Sequence, residues 1–251
     1  MSPPARLGLF GVAGTLAALA ILWGLLGLPD FGHVRSAYGR DIDRQSVPQQ
    51  RITDAVTAVN FDYRASDTIG EEFILLVSVM SVTVLLRHLR SDAEEAADNR
   101  ALSRLRPTSE AVRVWCIGAV GPMLILGIYV VSHGQLTPGG GFQGGAILAS
   151  ALVLLLLAGE FKTYRRVSSG ALLEAAGAVG AGGFVAVGMA GIVFSSGFLA
   201  NTLPLGQLKA IDSGGMVGII SALVGLEVVA GLAQIAAELA EHATALRVGQ
   251  G

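Results

Sequence analysis

The stretch Gly214–Ala237 reads GGMVGIISALVGLEVVAGLAQIAA, and Glu227 is the one charged residue among its 24 positions. A helix needs about 20 mainly apolar residues to cross the hydrocarbon core of a bilayer. Five further runs of this kind are Leu7–Leu28, Ile69–Leu86, Val114–Val131, Phe142–Gly159 and Ala171–Phe194. Such backbone satisfies its polar groups in lipid as helix, and the alternation of barrel strands is absent. The sequence therefore predicts an all-α integral membrane protein with about six transmembrane helices.

Composition excludes several classes of protein. Of the 251 residues 52% are hydrophobic and 14% charged, whereas soluble domains carry about 25% charge. With a net charge of −2, 6% aromatic residues and no long basic run, a nucleic-acid partner is not expected. The single Cys116 cannot pair within the chain, and His33, His88, His133 and His242 lack close ligand spacing. From the sequence we therefore expect no disulfide bond within the chain, no bound metal and no other cofactor.

The first apolar run and the basic residues predict the orientation. Ala18-Leu19-Ala20 matches a signal-cleavage site, but the run continues to Leu28 and is too long for a signal core, so we expect an uncleaved first helix. Eleven of the 17 Lys and Arg residues fall on one side of the predicted topology and six on the other. The positive-inside rule then predicts a multi-pass protein of the cell membrane with both termini in the cytoplasm.

A glycine-rich turn joins the third and fourth runs: Ser132–Gly145, SHGQLTPGGGFQGG. Its G-x-G-x-x-G pattern resembles a dinucleotide fingerprint, but that motif needs a strand on one side and both flanks here are membrane spans. One interpretation is a tight, partly re-entrant hairpin with close helix packing, built by Pro138, Gly139, Gly140, Gly141, Gly144 and Gly145. The other is that the turn borders an aqueous cavity in which His133 is the titratable group.

Four segments together resemble a known family: HGQLTPGGGFQGG from His133, GFLANTLPLG from Gly197, SGG at Ser213 and GLEVVAG from Gly225. Over residues 111–240 they are similar to the MnhB/MrpB family, the B component of Mrp-type multisubunit cation/proton antiporters, and to the homologous small subunit of membrane-bound hydrogenases. The resemblance implies a non-enzymatic membrane subunit of a monovalent cation (Na⁺)/proton antiporter that shapes or lines an ion path. The implied partners are the other antiporter subunits, the lipid bilayer, and Na⁺ and H⁺ as transported ions. The alternative is a membrane subunit of a hydrogenase-type or ferredoxin-linked redox-driven ion-pumping complex.

The front of the chain carries a second resemblance. Residues 60–71, NFDYRASDTIGE, resemble a stretch near the C-terminal end of the large MrpA component of these antiporters, which is a separate small subunit in the hydrogenases. The matching positions are Asp62, Arg64, Asp67, Thr68, Gly70 and Glu71, while Ala65 and Ser66 depart from Gly and Phe. The implied organisation is a two-helix segment over residues 1–88, a cytoplasmic linker 89–110, a four-helix MnhB-like domain 111–240 and a cytoplasmic tail 241–251.

Acidic residues in or near the apolar runs are the candidate ion-path residues. Glu227 is the deepest, and because a charge at helix centre costs about 2.5–3.5 kcal/mol, it is either a proton or cation relay or a packing device. Glu71 fits a capping box with Thr68, a role that leaves Glu72 unexplained. We expect ion pairs between Glu160 and Lys162 and, at i, i+3, between Lys209 and Asp212. The full candidate set is Glu227, Glu71, Glu72, Asp67, His133, Glu174 and Lys209.

Overall fold

The computed structural model describes residues 3–28, 37–88 and 108–248. The chain divides into two compact units, residues 1–40 and 41–251. The first unit contains helix α1, Pro3–Leu26. Within the described ranges every regular element is helical, so the predicted all-α membrane architecture is confirmed.

The remaining elements follow in chain order. They are α2 (Ala37–Gln50), α3 (Ala55–Ala58), a π-helical turn (Val59–Tyr63), α4 (Ala65–His88), α5 (Glu110–Ser132), α6 (Gly141–Leu157), α7 (Phe161–Val167), α8 (Gly170–Phe194) and α9 (Val217–Val248).

Five of the described helices contain segments long and apolar enough to cross a bilayer. The segments are Leu7–Leu26, Ala65–Leu86, Glu110–Ser132, Gly170–Phe194 and Val217–Ala240. The sixth expected span, Phe142–Gly159, is a shorter apolar helix, α6, of 17 residues. At 1.5 Å per residue it is about 25 Å long, close to the lower limit for crossing the hydrocarbon core. Gly140 and Gly159, with φ angles of 116° and 78°, lie outside helical geometry and limit α6 at its two ends.

Helix α9 is the centre of the second unit. It packs against α4, α5, α6 and α8. Its buried residues Val217, Ile220, Val224 and Val228 recur every three or four positions, which places them on one helical face. They form the main core cluster together with side chains from the front of the second unit and from α8, among them Ile52, Phe61 and Phe184.

Glycines allow α6 to approach α9 closely. A Cβ added at Gly141 would lie 2.7 Å from Val224 Cβ and 2.8 Å from the Gly225 nitrogen. One turn later, a Cβ at Gly145 would lie 2.8 Å from the Gly225 carbonyl oxygen. Real Cβ atoms do not come this close to other atoms, so only glycine fits at these two positions. The backbones of α6 and α9 are therefore in direct contact, and small residues commonly allow such close packing between membrane helices.

Candidate functional site

Two buried carboxyl groups face each other between α4 and α9. Glu72 is 1% exposed and Glu227 is 2% exposed, and their side chains interact directly. The two helices run parallel, because the contacts of α4 with α9 advance together along both sequences: from Glu72 with Glu227 to Thr83 with Gln234. The site is therefore built by one residue from the first third of the chain and one from near its end.

The pair has no partner that neutralises it among the described residues. None of the four carboxyl oxygens of Glu72 and Glu227 accepts a hydrogen bond from another group there. Two ionised carboxylates offer acceptors and no donor, and their repulsion is strong in an apolar interior. A single proton turns one carboxyl into a donor to the other, and a bound cation would compensate the charge in another way. The geometry is that of a site that holds a proton or a small cation.

Helix α8 also packs against Glu227. A Cβ added at Gly180 would lie 2.7 Å from Glu227 Cβ and 2.8 Å from the Glu227 nitrogen. The absence of a side chain at Gly180 therefore brings the α8 backbone against the acid and excludes bulk water from that side. Phe184, one turn further along α8, is 1% exposed and belongs to the main core cluster.

The start of α4 differs from its predicted capping. The helix begins at Ala65, so Thr68 and Glu71 lie inside it and do not form the expected capping box. Thr68 instead donates its hydroxyl hydrogen to the Asn60 carbonyl oxygen at 2.6 Å, and Glu71 is exposed. Asp67 lies in the first helical turn, as expected for an acid near a helix N-terminus, and forms an exposed ion pair with Arg64.

The three remaining candidate ion-path residues lie apart from the glutamate pair. His133 and Lys209 lie in connections between helices, and Glu174 lies on the exposed surface of a helix. His133 stacks on Tyr129 with ring centroids 4.1 Å apart, in the turn after α5. Glu174 is exposed, one turn into α8. Lys209 is exposed in the connection before α9, with a φ of 69°. The direct carboxyl contact thus joins Glu227 and Glu72 and leaves these three elsewhere.

The two ion pairs predicted from the sequence do not form among the described residues, so both predictions are wrong. The carboxylate of Glu160 accepts a hydrogen bond of 2.8 Å from the guanidinium group of Arg113 and forms an ion pair with it. Arg113 belongs to α5, and its distance along the sequence gave no reason to expect this contact. Lys162 is exposed. In the described portion of the chain Lys209 makes no ion pair with Asp212. The segment that contains them is a series of turns, and α9 begins only at Val217, so the i, i+3 geometry of a helix is absent.

The glycine turn is partly as expected. Gly139 and Gly140 have φ angles of 147° and 116°, while Gly141 is already the first residue of α6. Pro138 is exposed at the end of the turn. Gly144 approaches α5, with an added Cβ 2.8 Å from the Gly127 carbonyl oxygen, so it faces a different helix from Gly145. The glycines of this segment thus contact two partner helices.

The apolar pattern of the sixth run did not point to the polar residues that follow Glu227 on α9. Gln234 donates its side-chain N–H to the Thr83 hydroxyl at 3.2 Å, and both residues are buried. Glu238 is 7% exposed. These α9 residues come seven and eleven positions after Glu227, which is one helical face, and that spacing was the available signal. Across the described ranges, no group of three or more His, Cys, Asp and Glu residues is arranged to hold a metal ion.

The chain is similar in sequence to one protein family and to two known proteins. Residues 111–234 match the family described as a domain related to the MnhB subunit of Na⁺/H⁺ antiporter. An uncharacterised protein of Methanocaldococcus jannaschii is 32% identical over 200 residues, which are 74% of this chain and 76% of that protein. The B subunit of the Na⁺/H⁺ antiporter of Bacillus subtilis is 40% identical over 91 residues, 36% of this chain and 62% of that protein.

Two solved structures share the fold. A chain of the membrane-bound sulfane sulfur reductase, an archaeal respiratory membrane complex, superposes with a TM-score of 0.68 at 24% identity and covers 94% of this chain and 98% of its own. A chain of the Mrp complex from Dietzia sp. DQ12-45-1b superposes with a TM-score of 0.66 at 24% identity, over 95% of this chain and 26% of its own. Both matches are to chains that belong to a larger complex.

Proposed function

The chain belongs to the family of the MnhB subunit of Na⁺/H⁺ antiporters, and we propose that within such a complex it holds a transported proton on the Glu72–Glu227 pair. It is a multi-pass membrane protein, and its partners are other subunits of a membrane complex. Its work is to shape and line an ion path, without covalent chemistry.

One observation carries this proposal: two adjacent carboxyl groups, 1% and 2% exposed, have no neutralising partner among the described residues. Ionisable groups inside a membrane are costly, and their usual role is in a proton or ion pathway. A proton shared by Glu72 and Glu227 removes the repulsion, and its release restores it. The pair therefore exchanges its proton when a competing cation or a water-filled route becomes accessible.

The organisation of the chain follows the two resemblances. We assign residues 1–88 to a segment equivalent to the end of the antiporter's MrpA component, 89–110 to a linker, 111–240 to the MnhB-like domain and 241–251 to a tail. In this assignment the linker, the tail and both termini lie on the cytoplasmic side. Residues 89–107 and 249–251 lie outside the described residues.

A redox-driven ion pump of the hydrogenase type is the second candidate complex. The superposed chain of the sulfane sulfur reductase has nearly the same extent as this chain, with 98% of it covered. The two candidates differ in the partner subunits. Purification in mild detergent, followed by absorbance and mass spectrometry, distinguishes them: iron–sulfur subunits indicate the redox complex and further antiporter subunits indicate the antiporter.

Cation-driven proton flux in vesicles that contain the assembled complex tests the proposed pair. Glu227→Gln and Glu72→Gln keep shape and hydrogen bonding but cannot exchange a proton, so each should reduce the flux by about 10²-fold. Glu227→Asp keeps the acid but withdraws it by one methylene and should retain some of the flux. Glu110→Gln, at an exposed position in the first turn of α5, is the matched control. Full antiport by an assembled Glu227→Gln complex would show that this acid only packs helices.

A further inference from the structure

Polar residues continue along the α4–α9 interface beyond the glutamate pair. Thr83 of α4 is 6% exposed, Gln234 of α9 is 8% exposed, and they are joined by a hydrogen bond of 3.2 Å. Glu238, one turn further along α9, is 7% exposed. We call this set, from Glu72 and Glu227 to Glu238, the α4–α9 seam.

The spacing of the seam residues is regular on both helices. Glu72 and Thr83 are eleven residues apart on α4, and Glu227 and Glu238 are eleven residues apart on α9. Eleven residues bring a helix back to nearly the same face and advance it about 16 Å. The seam therefore presents buried polar groups over about half the thickness of the hydrocarbon core.

An apolar contact interrupts the seam. Val79 of α4 lies against Gly231 of α9, where an added Cβ would come within 2.8 Å of Val79 Cγ2. Leu75 borders the same glycine, with its nearest atom 3.8 Å from that Cβ position. This section offers carbon atoms where a metal cation would need oxygen ligands, so it separates two polar segments without binding an ion between them.

We propose that the α4–α9 seam is a gated proton path in which Glu238 is the second proton-binding site and the Val79–Gly231 contact is the gate. The inference rests on the proposed function of the Glu72–Glu227 pair. When the two helices separate slightly at Gly231, water enters, and an apolar constriction of this kind gates by wetting and dewetting. Closure of the contact removes the water and isolates the two acids from each other.

The transfer itself involves only O–H bonds. The carboxyl group of the glutamate pair loses its proton to a water molecule in the opened seam, and the Glu238 carboxylate takes up one proton from the last water molecule. Each O–H bond broken along the path is matched by one formed. Thr83 positions these water molecules, because its hydroxyl accepts the hydrogen bond from Gln234 and keeps its own hydrogen for a water molecule or Glu238.

The gate is tested by proton leak in vesicles that contain the assembled complex and no cation gradient. Val79→Ala removes the two γ-methyl carbons at the contact and should raise the leak several-fold over wild type. Val77→Ala, at an exposed valine on the same helix, is the matched control and should not change the leak. A Val79→Ala leak equal to that of Val77→Ala would overturn the gate.

The second site is tested by cation-driven proton flux in the same vesicles. Glu238→Gln should reduce the flux by about 10²-fold, as loss of a proton-transfer group does, and Thr83→Val should reduce it less. Ser81→Ala, which removes an exposed hydroxyl from α4, is the control for Thr83→Val. Each variant is first shown to copurify with its partner subunits, and Val79→Ala and Thr83→Val test the seam where Glu238→Gln fails to assemble.

The outcomes separate the two proposals. Loss of flux in Glu227→Gln together with full flux in Glu238→Gln and Thr83→Val supports the glutamate pair and overturns the seam. Full flux in Glu227→Gln overturns both, because the seam begins at that pair. Loss of flux in all three variants, with a raised leak in Val79→Ala, supports the path from end to end.

Discussion

The backbone N–H of Thr53 donates to the Gln135 carbonyl oxygen at 3.0 Å, across 82 residues of sequence. The Thr53 hydroxyl also donates to the Leu136 carbonyl oxygen, at 2.7 Å. These bonds hold the segment between α2 and α3 against the turn between α5 and α6. This early segment is therefore bonded directly to the glycine-rich turn and does not depend on helix packing alone for its position.

Gln135→Leu should destabilise the assembled protein. Gln135 is completely buried, and its side-chain N–H groups donate to the carbonyl oxygens of Ser132, at 3.3 Å, and Ile211, at 2.5 Å. Leucine has a similar size but leaves those carbonyls unsatisfied, at a cost of about 1–3 kcal/mol. Thermal unfolding in detergent should show a lower midpoint. Gln143→Leu, at an exposed position on α6, is the control, and equal midpoints for the two variants would contradict the role of Gln135.

Gly145→Ala should weaken the packing of α6 on α9. The new Cβ would lie 2.8 Å from the Gly225 carbonyl oxygen, a backbone atom that cannot rotate away. The helices must separate, so the yield of assembled complex and its thermal midpoint should both fall. Gly218→Ala adds the same methyl group on α9 where no atom lies within 4 Å, and it should be tolerated. A loss in Gly218→Ala as large as that in Gly145→Ala would argue against close packing as the cause.

Asp62→Asn should stabilise the protein above pH 6. Burial raises the pKa of Asp62 from 3.8 to about 6, so the folded state binds more protons than the unfolded state between these values. Wild-type stability therefore falls as the pH rises through this window, by about 2 kcal/mol after allowance for solvent screening. Asparagine cannot ionise, so the midpoint difference between variant and wild type should be near zero below pH 4 and positive above pH 6. A pH-independent difference would exclude ionisation as its cause.

Cysteine labelling should confirm the proposed orientation. The native Cys116 is first replaced by serine, and single cysteines are then introduced at the exposed positions Lys162 and Gln207. An impermeant reagent should label Lys162→Cys from the cytoplasmic side and Gln207→Cys from the outside, as the distribution of basic residues predicts. Gln135 is unsuitable as an outer probe because its side chain is completely buried. The reverse labelling pattern would overturn the topology.

Hydropathy predicted the helices better than it predicted their ends. Helix α4 begins at Ala65, before the apolar run at Ile69, because an acidic residue such as Asp67 is favourable in the first turn of a helix beside water. Helix α9 continues to Val248, past the apolar run that ends at Ala237. Counting apolar residues locates the section of a helix that lies in lipid, but it does not locate the polar turns at either end of that helix.

The partner of Glu227 could not be chosen from sequence. Glu71 and Glu72 are neighbours in the chain, and the capping pattern favoured the first of them. Successive helical residues point about 100° apart, so only one of the two can face α9, and the packing of α4 on α9 selects Glu72. Glu72, which the capping pattern did not explain, is the residue that contacts Glu227 in the folded protein.

The two acids of the pair are separated by 155 positions in the chain, and this has a consequence for biosynthesis. Helix α4 leaves the ribosome before α9 has been made, and at about 5–20 residues per second the delay is about 8–30 s. Throughout that interval Glu72 has no Glu227 beside it. The nascent chain must therefore keep this carboxyl group protonated, or hold it inside the insertion machinery, until α9 is made and closes the interface.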